Sequence, residues 1–473
     1  MIRVRFDFGE AGNGGGSGGV SIGLGNKARI FPTSAMIGAA RGLDHAVRAS
    51  YSRRMRSLFP VLLCLASGIA QAAETAPGWW KGNLHTHSLW SDGNDFPDMI
   101  ADWYKAHGYH FLALSDHNTL SDHERWIPVK KRSSTAKALG KYIERFGEPW
   151  VEQRDSANGV EVRLKMLSEF RTKVEEPGHF LMIQSEEITG RSVHINATNI
   201  REIILPYRGR APVTSKSVVA AMQKTVNAVM EQRARTGVPM FAHINHPNFK
   251  WAITAEELMQ VENERFFEVY NGHSSVRNAG DEVHASTERI WDILLTERLA
   301  VLGKEPFFGL ATDDSHHYLG EPKQTCHPGR GWVVVRAKTL AAEELIAGLE
   351  AGDFYASSGV TLKELRREPE SIALEIEPEA GVTYTTEFIG TRTGFDRASE
   401  PVTGDHDEPL RVTRKYSDDL GVVLFSKTGT TASYALKADE MYVRARVTSS
   451  KLKADPSSKG EFERAWVQPV WHR

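Results

Sequence analysis

Four stretches of this chain repeat one design, about four apolar residues followed at once by a burst of metal-ligand side chains. Phe111-Leu112-Ala113-Leu114 runs into Ser115-Asp116-His117-Asn118, and Phe180-Leu181-Met182-Ile183 into Gln184-Ser185-Glu186-Glu187. Pro239-Met240-Phe241-Ala242 precedes His243-Ile244-Asn245-His246-Pro247, and Phe307-Phe308-Gly309-Leu310 precedes Ala311-Thr312-Asp313-Asp314-Ser315-His316-His317. A short apolar run of this kind reads as a strand buried on both faces. Strands that all end in ligating side chains bring those ends to one rim, as the C-terminal face of an α/β barrel does. A fifth stretch, Asn83-Leu84-His85-Thr86-His87-Ser88-Leu89-Trp90-Ser91-Asp92-Gly93, opens the series. In extended chain, residues i and i+2 share a side, so His85 and His87 converge on one ion while Thr86 faces away. Asp92 follows in a Ser-Asp-Gly turn, which folds the chain back and aims a carboxylate at the same pocket.

Helix-like stretches (97–107, 160–174, 215–235, 286–298, 340–351) lie between strand-like runs (81–87, 110–115, 179–185, 193–200, 238–244, 266–271, 306–312, 331–336). This alternation predicts parallel strands joined by helical crossovers and closed into a barrel. Past about residue 361 the pattern changes to short alternating segments (371–376, 422–426, 441–448, 465–471) separated by Gly, Pro and Asp turns. They predict an all-β accessory domain, a small sandwich with a structural role. A length of 473 residues leaves room for two or three such units, at about 150 residues per domain.

Of the 18 histidines, all but His45, His406 and His472 lie between His85 and His327, so one region uses them. Cys64 and Cys326 are the only cysteines. Any metal must therefore be held by imidazole and carboxylate. A net charge of -2 with dispersed Lys and Arg argues against nucleic acid and against a polybasic membrane patch. Residues 1–54, Gly- and Ser-rich from 12 to 25, read as disordered or as lying upstream of the true start at Met55. Met55-Arg56, an apolar run over 58–70 and Ala70-Gln71-Ala72 then read as a signal peptide over 55–72. The expectation is a periplasmic or secreted protein with no membrane anchor after cleavage, because the run is too short to span a bilayer.

Taken in order, H-x-H, S-D-G, D-H, E, H, H-P and D-x-H resemble the PHP (polymerase and histidinol phosphatase) family of metal-dependent hydrolases over roughly residues 79–359. The resemblance implies a distorted seven-stranded barrel, placed at 73–361 ahead of the β-rich accessory region read at 362–473, and two or three divalent ions of Zn, Mn or Fe. A first ion would be held by His85, His87, Glu187 and Asp314. Glu187 would bridge to a second completed by His194 and His246, and Asp92, His117 and His316 would hold a third. Glu186 is the alternative to Glu187, and His243 to His246. Asp116 is expected to orient His117, and Asp313 and His317 take supporting roles.

The chemistry implied is in-line attack by metal-bound hydroxide, with the ions offsetting charge on the substrate and His273 assisting the leaving group. Arg191 and Arg277 are placed to touch an anionic substrate or are ordinary surface arginines, and neither is assigned to the site. A small-molecule phosphoester is the expected substrate. A carbamate or carboxylic ester is the alternative, since Trp80-Lys81-Gly82-Asn83-Leu84-His85, Asp116-His117-Asn118, Asn245-His246-Pro247 and Ala351-Gly352-Asp353-Phe354-Tyr355-Ala356-Ser357-Ser358-Gly359 resemble a secreted, carbaryl-hydrolase-like branch. A third reading is a non-catalytic periplasmic protein that binds metal or glycan.

Overall fold

Each apolar run becomes a strand in the computed structural model, which describes residues 77–157, 159–207, 212–322 and 325–472. The expected signal peptide and the segment before it lie outside the described residues. Seven strands carry the rim: β1 (Gly78–Asn83), β2 (Phe111–Leu114), β3 (Leu181–Thr189), β4 (His194–Thr198), β5 (Phe241–Ile244), β6 (Phe266–Asn271) and β7 (Phe308–Thr312). They pair in the order β7-β6-β5-β4-β3-β2-β1. β2, β5, β6 and β7 are buried at every position, as expected for strands covered on both faces.

Two features depart from the expected barrel. β4 runs antiparallel to both β3 and β5, whereas the other pairs within this set are parallel. Only four residues separate β3 from β4, and Gly190 N–H donates to Val193 O across them at 2.9 Å. A parallel return needs a crossover of a dozen residues or more, so the chain turns back as a hairpin. The reversal sets the first residue of β4, His194, opposite Thr189 at the end of β3.

Nor does strand pairing among the described residues close a seven-stranded barrel. The far edge of β1 continues into β8 (Trp332–Ala337), β9 (Phe354–Ser357), β10 (Tyr384–Arg392), β11 (Val422–Thr428), β12 (Glu440–Leu452) and β13 (Phe462–Trp471). The result is a thirteen-stranded mixed sheet ordered β1-β8-β9-β13-β12-β10-β11 on that side. The segments beyond β1 and β7 still meet, since the Asp314 amide donates to His85 O and the His87 amide to Ser315 O, both at 3.0 Å. Beyond Glu350 every regular element is a strand.

Helices α1 (Pro97–Ala106), α2 (Ser134–Phe146), α3 (Leu167–Val174), α4 (Ser215–Thr236), α5 (Ala255–Leu258), α6 (Thr287–Glu297) and α7 (Ala342–Glu350) lie between the strands. The helix expected over 160–174 is strand in its first part. Val160, Val162 and Leu164 alternate with Glu161 and Arg163 at the two-residue period of a strand, and Gly159–Leu164 pairs with Arg125–Pro128 and Gln153–Ser156. α3 starts where the Glu169 carboxylate caps the Met166 amide at 2.9 Å. α4 is bounded by Thr214, whose hydroxyl caps the Ser217 amide, and by Gly237 at φ +68°, a position glycine adopts freely. Its Val218, Met222, Val226 and Val229 lie in the core formed with the rim strands. The three- and four-residue spacing puts them on one helix face.

Candidate metal centre

Past β1 the chain stays extended, Thr86 bridging to Ser315, and His85 and His87 emerge on one side. Their Nε2 atoms are 3.1 Å apart. Asp314 Oδ1 lies 3.3 and 3.2 Å from the two nitrogens, and Glu187 Oε2 lies 3.5 and 3.3 Å from them. Ligand bonds of about 2.0–2.1 Å around a tetrahedral ion correspond to ligand–ligand edges of about 3.3 Å. His85, His87 and Asp314 therefore stand at the spacing of one coordination shell, and Glu187 Oε2 lies at a similar distance from both imidazoles.

The other nitrogen of His85 is accounted for by Glu268, a residue the sequence reading passed over. His85 Nδ1 donates to Glu268 Oε1 at 2.7 Å. The buried carboxylate also accepts from Thr312 Oγ1 at 2.8 Å, Asn271 Nδ2 at 2.8 Å and the His246 amide at 2.7 Å. A proton held at Nδ1 leaves Nε2 to serve as the ligand atom, the usual outer-shell arrangement for a ligating histidine. The signal was a lone carboxylate inside the apolar strand Phe-Phe-Glu-Val-Tyr. Such a group is costly to bury unless it is paired.

Glu187 links this shell to a second. Its Oε1 lies 2.9 Å from His194 Nδ1 and 3.4 Å from His246 Nε2, and Asn245 Nδ2 donates to it at 2.9 Å. Its Oε2 has three imidazole nitrogens within 3.5 Å, from His85, His87 and His117. None is aligned as a hydrogen bond, although the oxygen is buried. The nearest is His117 Nδ1 at 2.7 Å, and a buried carboxylate oxygen ringed by three imidazoles suits a cation as well as shared protons. The neighbouring Glu186 points to the opposite side, as strand alternation requires, and accepts the Ile204 amide at 2.9 Å. Burial pushes its carboxyl up to about 7. His243 stands behind Glu268, 3.4 Å from Oε1. Of the two pairs of alternatives, Glu187 and His246 are the members that face the cluster.

A third group opens toward solvent. Asp92 lies 3.7 Å from His87 Nδ1, 3.4 Å from His316 Nε2 and 3.6 Å from His117 Nε2, and its side chain is 57% exposed. Asp116 does not touch His117 through a hydrogen bond. It accepts from Ser88 N at 2.8 Å and from the Ser88 and Ser91 hydroxyls at 2.7 Å, pinning the turn that presents Asp92. His117 Nδ1 has Thr189 Oγ1 at 2.5 Å and Glu187 Oε2 at 2.7 Å.

Asp313 accepts from Tyr104 OH at 2.7 Å and from the Gly329, Arg330 and Gly331 amides, so it organises the loop behind the rim. His317 Nδ1 accepts the Cys326 amide at 3.3 Å, outside the cluster, and Arg277 is an exposed residue over Trp251. Asp314 and Asn118 adopt φ +49° and +51°. This left-handed region costs such residues about 1–3 kcal/mol and recurs at functional sites.

The charges are strongly coupled. Burial lowers His85 and His117, but the surrounding carboxylates outweigh it, raising His85 well above the ordinary range and His117 to about 9. Burial raises Glu187 and Asp314, and the imidazoles outweigh it, holding both well below the carboxylate range. His194 is lowered because burial dominates there. Several ring nitrogens thus hold protons that a cation would displace. His273 differs: the Ser275 amide donates to its Nδ1 at 3.0 Å, which leaves the proton on Nε2. Burial lowers it to about 4, and its ring meets that of His316 edge-on at 5.4 Å. It is a neutral N–H donor at the mouth of the cluster.

No family model matches the sequence, and no curated protein matches it. Two solved structures are similar. One is a two-domain protein from Bacteroides vulgatus containing a predicted PHP-like metal-dependent phosphoesterase, with 15% identity over 83% of this chain and 95% of that one and a TM-score of 0.36. The other, from Bifidobacterium adolescentis, is named for an inferred metal-dependent phosphoesterase activity, with 12% identity over 52% of this chain and 91% of that one and a TM-score of 0.27. At these scores the likenesses carry no functional argument.

Proposed function

We propose that the protein is a metal-dependent hydrolase of the PHP type, acting as a phosphoesterase on a small anionic ester outside the cytoplasm. The observation that carries this reading is Glu187 Oε2, buried, without a hydrogen bond, and ringed by His85, His87 and His117. His85, His87, Glu187 and Asp314 would hold one ion, Glu187, His194 and His246 a second, and Asp92, His117 and His316 a third. Divalent ions bound there would supply Lewis acidity and a nucleophile from water near neutral pH. The same reading assigns residues 73–361 to the hydrolase and 362–473 to an accessory β-rich region, with export directed by residues 55–72.

The chain's own residues prepare the site. Glu268 keeps the proton of His85 on Nδ1 and the ring oriented. Asp116 fixes the Ser88–Ser91 turn, which holds Asp92 at the open side, where substrate enters. His273 offers Nε2–H to the leaving-group oxygen. With its pKa lowered to about 4, it acts by hydrogen-bond donation rather than as a strong acid, in the way a neutral imidazole serves as an electrophile.

The test is a panel of phosphomonoesters, phosphodiesters, carboxylic esters and carbamates assayed with added Mn or Zn. Turnover of phosphoesters, lost in His85→Ala, is the expected result. Turnover of carbonyl esters alone overturns the phosphoesterase assignment in favour of the second reading.

A further inference from the structure

His194 and His246 line a cavity of about 200 Å³ that Glu187 does not line. Phe249, Ile253 and Val213 give it an apolar wall, and Arg191, Lys250 and Arg411 line it with positive charge. No carboxylate lines it among the described residues. Arg411 is committed, its guanidinium forked onto Glu257 at 2.7–2.8 Å and donating to Ala252 O. It therefore braces the 249–253 loop from the C-terminal region.

That loop is held in an unusual shape. Lys250 and Trp251 are consecutive residues at φ +53° and +55°, and Trp251 is clamped flat on His284, with ring centroids 3.8 Å apart. The turn swings the Phe249 ring edge-on to His246 at 5.1 Å and within 6.1 Å of His194 and 5.8 Å of His273. Phe249 thus stands where the metal-ligand cluster and the cavity meet, and Lys250 lies beside it with Nζ 5.0 Å from its ring centroid.

Resting on the hydrolase reading above, we propose that this cavity is the subsite for the non-reacting part of the substrate, and that it takes a flat apolar group bearing an anionic substituent. The volume is the first reason, since a dry cavity of about 150 Å³ accepts benzene and this one leaves room for a substituent. Its lining is the second: an apolar wall with a few polar groups at fixed positions is how small-molecule pockets combine affinity with orientation. The shared residues are the third. His194 and His246 both contact Glu187 and both line the cavity, so a group seated there lies beside the reacting ester.

Calorimetric titration of the metal-loaded protein with methylphosphonate, phenylphosphonate and 4-carboxyphenylphosphonate tests this without turnover. Phenylphosphonate is expected to bind roughly tenfold more tightly than methylphosphonate, and the carboxylate to add a further gain. Val213 is 39% exposed, so Val213→Trp should fold, fill the cavity and abolish the phenyl preference. Phe249→Ala removes the wall and should shrink the same ratio, and Lys250→Glu should remove the carboxylate gain alone. Equal binding of the methyl and phenyl compounds, or a ratio unmoved by Val213→Trp and Phe249→Ala, overturns the proposal while leaving the phosphoester reading standing. Binding of no phosphonate by protein with its full metal content overturns both.

Discussion

At the seam between α6 and β12, Arg444 donates from Nε and Nη2 to the two oxygens of Asp292, each at 2.7 Å, and Tyr442 OH adds a third donor at 3.0 Å. Beside it Arg446 joins Glu288 at 2.9 Å to Glu387 at 2.7 Å. At the rim, carboxylate and imidazole are buried just as deeply, yet Glu187 Oε2 accepts no hydrogen bond and two Nε2 atoms face each other at 3.1 Å. Both clusters bear the cost of desolvating charge. The seam offsets most of it internally, guanidinium fork against carboxylate, with Arg444 Nη1 left without a hydrogen bond but 3.5 Å from Glu288 Oε2, an opposite charge. The rim has acceptor atoms turned toward one another, an arrangement that only a cation or extra protons can reconcile. The seam therefore joins the C-terminal strands to α6, and the rim is where a ligand fits.

Mutations should separate the two. The largest effect is expected at the rim: His85→Ala or Glu187→Gln should strip metal, measured by mass spectrometry, and lower kcat/KM on the order of 1,000-fold or more, with the fold retained by circular dichroism. At the seam, Asp292→Ala leaves a buried guanidinium unpaired and should cost about 3–5 kcal/mol in denaturant unfolding with metal content unchanged. An Asp292→Leu, Arg444→Met pair should recover most of that loss. Recovery by an analogous apolar pair at His85 and Glu187 would break the distinction, because metal would still be gone.

Glu268 lies between the two behaviours, a satisfied carboxylate that serves the rim. Glu268→Gln should weaken metal binding about 10–100-fold. Because its NH2 would face donors that the carboxylate now satisfies, it should also destabilise the metal-free protein by about 1–3 kcal/mol.

The smallest effect is a pH slope. In metal-free protein His117 is raised from 6.5 to about 9. A raised histidine stabilises the fold fully below its unfolded value, and that contribution is lost as pH rises through the folded one. Melting temperature of the metal-free protein should therefore fall between pH 6.5 and about 9. The metal-loaded protein should lack this slope, since the cation has replaced the proton.

The clustering of the candidate ligands was legible where spacing alone dictates direction. His85 and His87 share a side because strand residues alternate, and the same rule separates Glu187 from Glu186. The apolar runs before each ligand burst mark strands, because only a two-sided core tolerates them. Glu268 left a local mark, a lone carboxylate in an apolar strand, but its partners, His85 Nδ1, Thr312 Oγ1 and the His246 amide, are distant in sequence, so its role was hidden. The antiparallel β4 had a local signal in the short Gly190–Val193 gap, but the strand-and-helix rhythm on either side suggested a parallel return. Asp116 was assigned to His117 because the two are adjacent in sequence, whereas the turn at Ser88 and Ser91 was nearer in space. The continuation of β1 into the C-terminal strands depends on pairing such as Tyr355 with Val467, which no periodicity specifies.

Metal stoichiometry of the purified protein tests the central claim most directly. Inductively coupled plasma analysis after dialysis should find at least two divalent ions, Zn, Mn or Fe, per chain. Chelator should remove them, with a fall in melting temperature that added metal reverses. A chain that carries no divalent ion after incubation with Zn or Mn, and melts at the same temperature with and without chelator, would contradict the account.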